Sequence, residues 1–71
     1  MNFLIRQSDL ELAGFNGNFQ LLPWSLRRNW AARALRAAGQ IENATLLDLN
    51  NPNAVASIQY VNDTGTPLPI Y

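Results

Sequence analysis

One segment of this chain, Ser25–Ala38, constrains the possible folds more than any other. At about 100° per residue, a helix collects most of its apolar residues on one side; these are Leu26, Trp30, Ala31, Ala34, Leu35, Ala37 and Ala38. Ser25 can cap this helix, or Pro23 can occupy its first turn, and Gly39 is a suitable stop. The small alanine side chains predict close packing of the helix against a sheet or a second helix.

The same segment carries four of the chain's five basic residues, all of them arginines, and no acid. Helical phase places Arg28, Arg33 and Arg36 on the outer face and leaves Arg27 near the apolar side. Because no acid lies three or four residues away, these arginines cannot form ion pairs within their helix. Their counterpart must be the chain's own distant carboxylates, a partner chain or a phosphate. Arginine in place of lysine favours carboxylate recognition at a protein interface.

Asn16-Gly17 is the strongest local turn signal in the chain, since this dipeptide favours the two-residue hairpin turn. It separates the apolar-rich runs Leu10–Phe15 and Asn18–Leu22. With Phe15 opposite Asn18, one face of the hairpin collects four apolar side chains: Leu10, Leu12, Phe19 and Leu21. The sequence therefore predicts a hairpin over this region.

Two further regions are open to more than one interpretation. Asn2–Gln7 is predicted as a strand before the hairpin, although Ser8–Glu11 also fits a capping box and hence a short helix. Thr45–Leu49 and Ala54–Asn62 are predicted as strands joined by the turn-rich residues 50–53. Apolar spacing over residues 41–48 is equally compatible with a second helix.

The predicted fold is a single α+β domain over residues 1–62. In it, one amphipathic helix packs on a small antiparallel sheet in the approximate order βββαββ. Residues 63–71 are predicted as an extended C-terminal arm, because Pro67 and Pro69 disfavour a place inside a sheet. The predicted core consists of Leu12, Phe19, Leu21, Leu26, Trp30, Leu35, Ile58 and Tyr60.

The missing residue types argue against catalysis and against the common metal sites. The chain has no Cys and no His, so the familiar nucleophile–base pairs and the usual zinc geometries are absent. Asp48–Asn53 is rich in oxygen ligands but lacks the glycine and the bidentate glutamate of a calcium loop. We expect no enzyme activity, no cofactor and no metal.

The low charge of the chain indicates that it works by contact with other proteins. Charged residues make up 14% of the sequence, against about 25% in typical soluble domains. A domain this small, without disulfide or metal, is expected to have much of its surface covered by other subunits. Low charge, many amide side chains and an extended arm are together typical of small accessory subunits of large assemblies such as phage or viral particles.

We therefore expect a structural or assembly subunit that binds other protein chains, copies of itself among the candidates. Its predicted contact residues are the outer arginines and the apolar arm residues, namely Arg28, Arg33, Arg36, Leu68, Ile70 and Tyr71. The alternative is a small nucleic-acid-binding module that uses the arginine face; its neutral net charge and lack of a binding motif count against it. Neither a signal peptide nor a membrane span is predicted, so the expected location is intracellular or within a particle assembled in the cytoplasm.

Overall fold

A computed structural model describes residues 3–62 and 64–70 of the chain. Within these residues the elements are β1 (Phe3–Arg6), α1 (Gln7–Leu12), a 3₁₀ turn (Phe19–Leu21), α2 (Trp24–Ala37), α3 (Ile41–Asp48), α4 (Pro52–Ser57), β2 (Ile58–Val61) and β3 (Pro67–Pro69). This mixture of helices and strands confirms the predicted α+β class. The order of the elements differs from the predicted βββαββ.

The strands form a mixed sheet in the order β1-β2-β3 rather than the predicted antiparallel one. β1 runs parallel to β2, with Ile5 opposite Tyr60, and β3 runs antiparallel to β2. Parallel strands cannot be joined by a tight turn and need a long crossover connection. Here that connection contains all four helices of the described residues.

Side chains alternate between the two faces of the sheet. Ile5, Ile58 and Tyr60 are buried in one continuous core with the helices. The intervening side chains, such as Leu4 and Val61, lie on the opposite face and keep part of their surface exposed. The helices therefore cover one face of the sheet only.

The predicted central helix is present as α2, but its buried face is rotated relative to the prediction. Pro23 stands at the N-cap, and Gly39 follows the helix with φ +82°, a conformation that favours glycine. The buried residues of α2 are Ala31, Ala32, Ala34 and Leu35. Ala32, which helical phase places among the arginines of the outer face, is fully buried. Leu26 was predicted as core, but it lies in the first turn of α2 outside the buried group and is exposed.

The predicted hairpin around Asn16-Gly17 is wrong. The competing short helix is observed instead as α1, although its N-cap is Arg6, whose backbone N–H donates to Asp9 Oδ2 at 2.8 Å. After the loop, Asn18 Oδ1 accepts from the backbone N–H of Gln20 and starts the 3₁₀ turn. A hairpin on its own is only marginally stable in water. The observed fold buries Leu10 and Phe19 against the helices and the sheet instead.

The predicted strand Thr45–Leu49 is also wrong, and its helical alternative, α3, is observed. Ala44 and Leu47 are buried three residues apart, as on one side of a helix. The predicted turn 50–53 contains the start of α4. Asn51 Oδ1 accepts from the backbone N–H groups of Asn53 and Ala54 at 3.0 and 3.2 Å.

The predicted strand Ala54–Asn62 is consequently half right. Its first residues belong to α4, and its later residues, Ile58–Val61, form β2. The proline after Asn51 occupies the first turn of α4, where its missing N–H costs no helical hydrogen bond.

The C-terminal residues form an edge strand rather than the predicted extended arm, and Ile70 is fully buried in the core. The backbone N–H of Asn62 donates to the carbonyl of Thr66 at 3.2 Å. This bond makes Asn62 and Thr66 a hydrogen-bonded pair. Because hydrogen-bonded and non-hydrogen-bonded pairs alternate along antiparallel strands, Pro67 and Pro69 occupy non-hydrogen-bonded positions, and their backbone groups face the free edge. Prolines there cost no bond of the sheet, so the fold tolerates both. Tyr71 lies outside the described residues.

Half of the predicted core is confirmed, since Phe19, Leu35, Ile58 and Tyr60 are buried. Trp30 is partly buried and packs against this core. Besides Leu26, two other predicted core residues are wrong: Leu12 and Leu21 are 77% and 81% exposed. Both assignments depended on the hairpin register, which placed these two leucines on its inner face.

A pair of leucine substitutions tests the helical assignment of α3. In a strand, Leu47 and Leu49 would share one face, whereas in the observed helix Leu47 is buried and Leu49 is exposed. We expect Leu47→Ala to lower the free energy of unfolding by about 2–5 kcal/mol. Leu49→Ala should change it by less than about 0.5 kcal/mol. Urea denaturation measures both, and equal losses would contradict the helix.

Candidate functional site

The arginines of α2 have three different environments, beginning with an ion pair at its C-terminal end. Arg36 Nη2 donates to Asp48 Oδ2 at the end of α3, and both side chains are 42% exposed. The counterpart of this arginine is therefore a carboxylate of the same chain. An exposed pair of this kind contributes little to stability, but it neutralises one charge of the outer face.

Two further arginines lie over tryptophan rings. The guanidinium carbon of Arg28 is 5.2 Å from the ring centroid of Trp24, and that of Arg33 is 4.9 Å from the ring of Trp30. Trp30 also packs against Phe15, with ring centroids 5.1 Å apart. These are cation–π distances, so an aromatic ring covers one side of each guanidinium.

Arg27 has the third environment. Arg27 as a whole is partly buried, and its Nε atom is fully buried without a hydrogen-bond partner among the described residues. The side chain borders a cavity of about 210 Å³, which is lined by Phe19, Gln20, Arg27, Tyr60, Leu68 and Pro69. We call it the Arg27 cavity. It brings a cation next to aromatic and aliphatic walls at the side of the sheet where β3 lies.

A second cavity of about 270 Å³ adjoins the Arg27 cavity and shares Gln20 and Tyr60 with it. Its lining is polar but uncharged. Tyr60 Oη donates to Gln7 Oε1 at 3.1 Å, and Gln7 Nε2 donates to the carbonyl of Gly17 at 3.3 Å. The ring of Tyr60 is in turn stacked on Phe19, with centroids 4.6 Å apart. Tyr60, which borders both cavities, is therefore held by a hydrogen bond at its hydroxyl and by stacking at its ring.

Large apolar side chains are exposed over several parts of the surface. Leu49, which follows α3, is 73% exposed, and Leu12 and Leu21 are exposed to a similar extent. The remaining large apolar residues with substantial exposure are Leu4, Trp24, Leu26 and Ile41. They are spread along α1, the 3₁₀ turn, α2, α3 and β1, so every layer of the fold presents apolar surface.

The predicted contact residues are not brought together in one place. The predicted arginines, Arg28, Arg33 and Arg36, lie along α2. Leu68 lies on β3 and is partly buried. Ile70 is fully buried, so it cannot meet a partner without unfolding of the edge. The sequence did not single out Arg27 as a contact residue. Two signals pointed to it: its helical phase beside the apolar side, and the absence of acids nearby.

Two classes of site are absent from residues 3–62 and 64–70. No three acidic, histidine or cysteine side chains in them lie close enough together to hold a metal ion. In the same residues, no helix combines the length and the apolarity needed to cross a membrane.

The ion pair between Arg36 and Asp48 can be measured by a double-mutant cycle with Arg36→Gln and Asp48→Asn. We expect a coupling energy of about 0.2–1 kcal/mol at low ionic strength, since both groups are exposed. High salt should remove most of it by screening. Arg33→Gln combined with Asp48→Asn is the control pair and should show no coupling. Equal coupling in both pairs would contradict a specific contact.

No protein-family model, curated protein or solved structure matches this chain. The function must therefore be inferred from the groups that the chain itself presents.

Proposed function

We propose that the chain is a non-enzymatic structural subunit that binds other protein chains, copies of itself included, within a larger assembly. The carrying observation is the exposure of large apolar side chains on a small domain. Leu12, Leu21 and Leu49 each keep about three quarters of their surface in solvent. Contact with another chain would remove that surface from water.

The free energy available from such contact is considerable for a domain of this size. Full burial of a leucine side chain is worth about 1.5–3 kcal/mol relative to leaving it exposed. Charged residues, which normally keep a surface soluble, make up 14% of the chain. A surface with so few charges gains more from being covered by another chain than a typical charged surface does.

The uncovered face of the sheet supports the same proposal. It carries Leu4 and Val61 beside the two prolines of β3. A sheet with helices on one face only leaves the other face available to a second layer. The prolines remove backbone donors from the free edge of β3, which disfavours pairing with an added strand there. Side-chain contact with this face is the association that the geometry favours.

One observation favours the second candidate, a nucleic-acid-binding module. Trp24 is half exposed with Arg28 over its ring, and an exposed aromatic beside a cation is suited to stacking on a base. Against it, Arg36 is paired with Asp48, and the chain's net charge is zero. Affinity for a phosphate backbone depends on several unpaired cations.

Light scattering coupled to size-exclusion chromatography tests the proposed self-association. We expect the molar mass to rise with concentration above the 7.9 kDa of one chain. The triple variant Leu12→Gln, Leu21→Gln and Leu49→Gln should remain monomeric with an unchanged circular dichroism spectrum. Thr45→Gln, at an exposed polar position, is the matched control. A wild-type chain that is monomeric at every concentration would contradict self-association.

Fluorescence anisotropy with a labelled single-stranded oligonucleotide separates the two candidates. For a structural subunit we expect no saturable binding at physiological salt. A nucleic-acid module would bind with a steep salt dependence that becomes shallower in Arg28→Gln. Salt-dependent binding of that kind would replace the structural proposal by the second candidate.

A further inference from the structure

We propose that the Arg27 cavity is a binding site for a carboxylate side chain on a partner polypeptide. This inference rests on the proposed function and deepens it, because it names the group that the subunit recognises. The ligand is an acidic side chain flanked by apolar residues. Its carboxylate meets the Arg27 guanidinium, and its apolar neighbours contact the walls of the cavity.

The first argument is the unsatisfied charge of Arg27. Among the described residues, the other arginines of α2 have an acid or an aromatic ring as a partner. Within residues 3–62 and 64–70, Arg27 has neither, and its Nε is buried without a hydrogen bond. A guanidinium that is partly withdrawn from water and left without an acceptor carries a cost that a carboxylate removes. In such surroundings the charge-assisted hydrogen bond is stronger than it is in water.

The second argument is the size and lining of the Arg27 cavity. Its volume is about 210 Å³, whereas sites for small molecules and cofactors usually measure about 300–1,000 Å³. One side chain fits this space better than a cofactor does. Phe19, Tyr60 and Leu68 supply apolar walls, which suit the methylene groups of an acidic side chain.

The third argument is the adjoining polar cavity. It shares Gln20 and Tyr60 with the Arg27 cavity and is also bordered by Gln7 and Asn18. These amide side chains contain donors and acceptors but no charge. The backbone of a polypeptide has the same two kinds of group. A partner segment that places its carboxylate at Arg27 therefore finds matching hydrogen-bonding groups where its chain continues.

The test uses the full chain and two short peptides that differ in one group. Acetyl-Leu-Glu-Leu amide carries the carboxylate, and acetyl-Leu-Gln-Leu amide is its neutral counterpart. Each is titrated at constant ionic strength into the ¹⁵N-labelled chain, while NMR follows the arginine Nε–H signals and the backbone amide signals of the cavity residues Phe19, Gln20 and Leu68, which report binding in both variants. Inorganic phosphate is titrated in a third arm. Arg27→Met keeps an apolar stem without the charge, and Arg33→Met is the matched control on the same helix.

The expected result is a saturable shift of the Arg27 Nε–H signal with the acidic peptide and none with the neutral one. Affinity should fall by about tenfold or more in Arg27→Met and remain unchanged in Arg33→Met. The proposal is overturned if the Arg27 signal does not saturate, if the other arginines shift equally, or if phosphate produces the same shift. If Arg27→Met fails to fold, the test depends on whether the Arg27 signal of the wild-type chain shifts saturably with the acidic peptide and not with the neutral one.

The peptide titration and the light-scattering experiment can fail independently. Saturable binding of the acidic peptide by a chain that stays monomeric would keep the Arg27 site and contradict self-association. If the chain assembles but its Arg27 signal does not shift with the acidic peptide, the Arg27 site is overturned and the proposed function stands.

Discussion

The parallel pairing of β1 with β2 is the constraint on which the rest of the fold depends. It joins Phe3–Arg6 to Ile58–Val61, so nearly all of the chain between them must cross one face of the sheet. The register sets which residues meet the helices. A shift of one residue would turn Ile58 and Tyr60 towards solvent. These two side chains lie on the face that packs against the helices, so the pairing and the core specify each other.

The sequence predicts the part of this fold that depends on local pattern and misses the part that depends on distant pairing. The helix after Pro23 was predictable because its apolar period, its start and its stop all agree. Asn16-Gly17 misled because a turn dipeptide produces a hairpin only when its flanking runs pair, and here those runs form α1 and the 3₁₀ turn, which bury Leu10 and Phe19 in the core. In Thr45–Leu49, a short apolar run fits helix and strand alike.

The candidate site was predictable to a similar extent. The sequence showed that the arginines of α2 lack acids within their helix. It left open which group would bind each guanidinium. Asp48 is twelve residues beyond Arg36 and meets it because α3 folds back on α2. Predicting the Arg27 cavity would require contacts between residues still farther apart in the sequence, since β3 supplies part of its wall. A prediction that treats the C-terminal residues as an arm cannot contain that cavity.

The edge formed by β3 explains why the proposed recognition would be by side chains. Pro67 and Pro69 face outwards and offer no backbone donors, so a partner strand cannot extend the sheet with a full set of hydrogen bonds. The same strand nevertheless places Leu68 and Pro69 beside Arg27 in one cavity. An edge closed to backbone pairing lies next to a guanidinium whose Nε has no hydrogen-bond partner among the described residues, and the two together would favour a partner's carboxylate. Specificity would then depend on one charge in an apolar cavity rather than on strand addition.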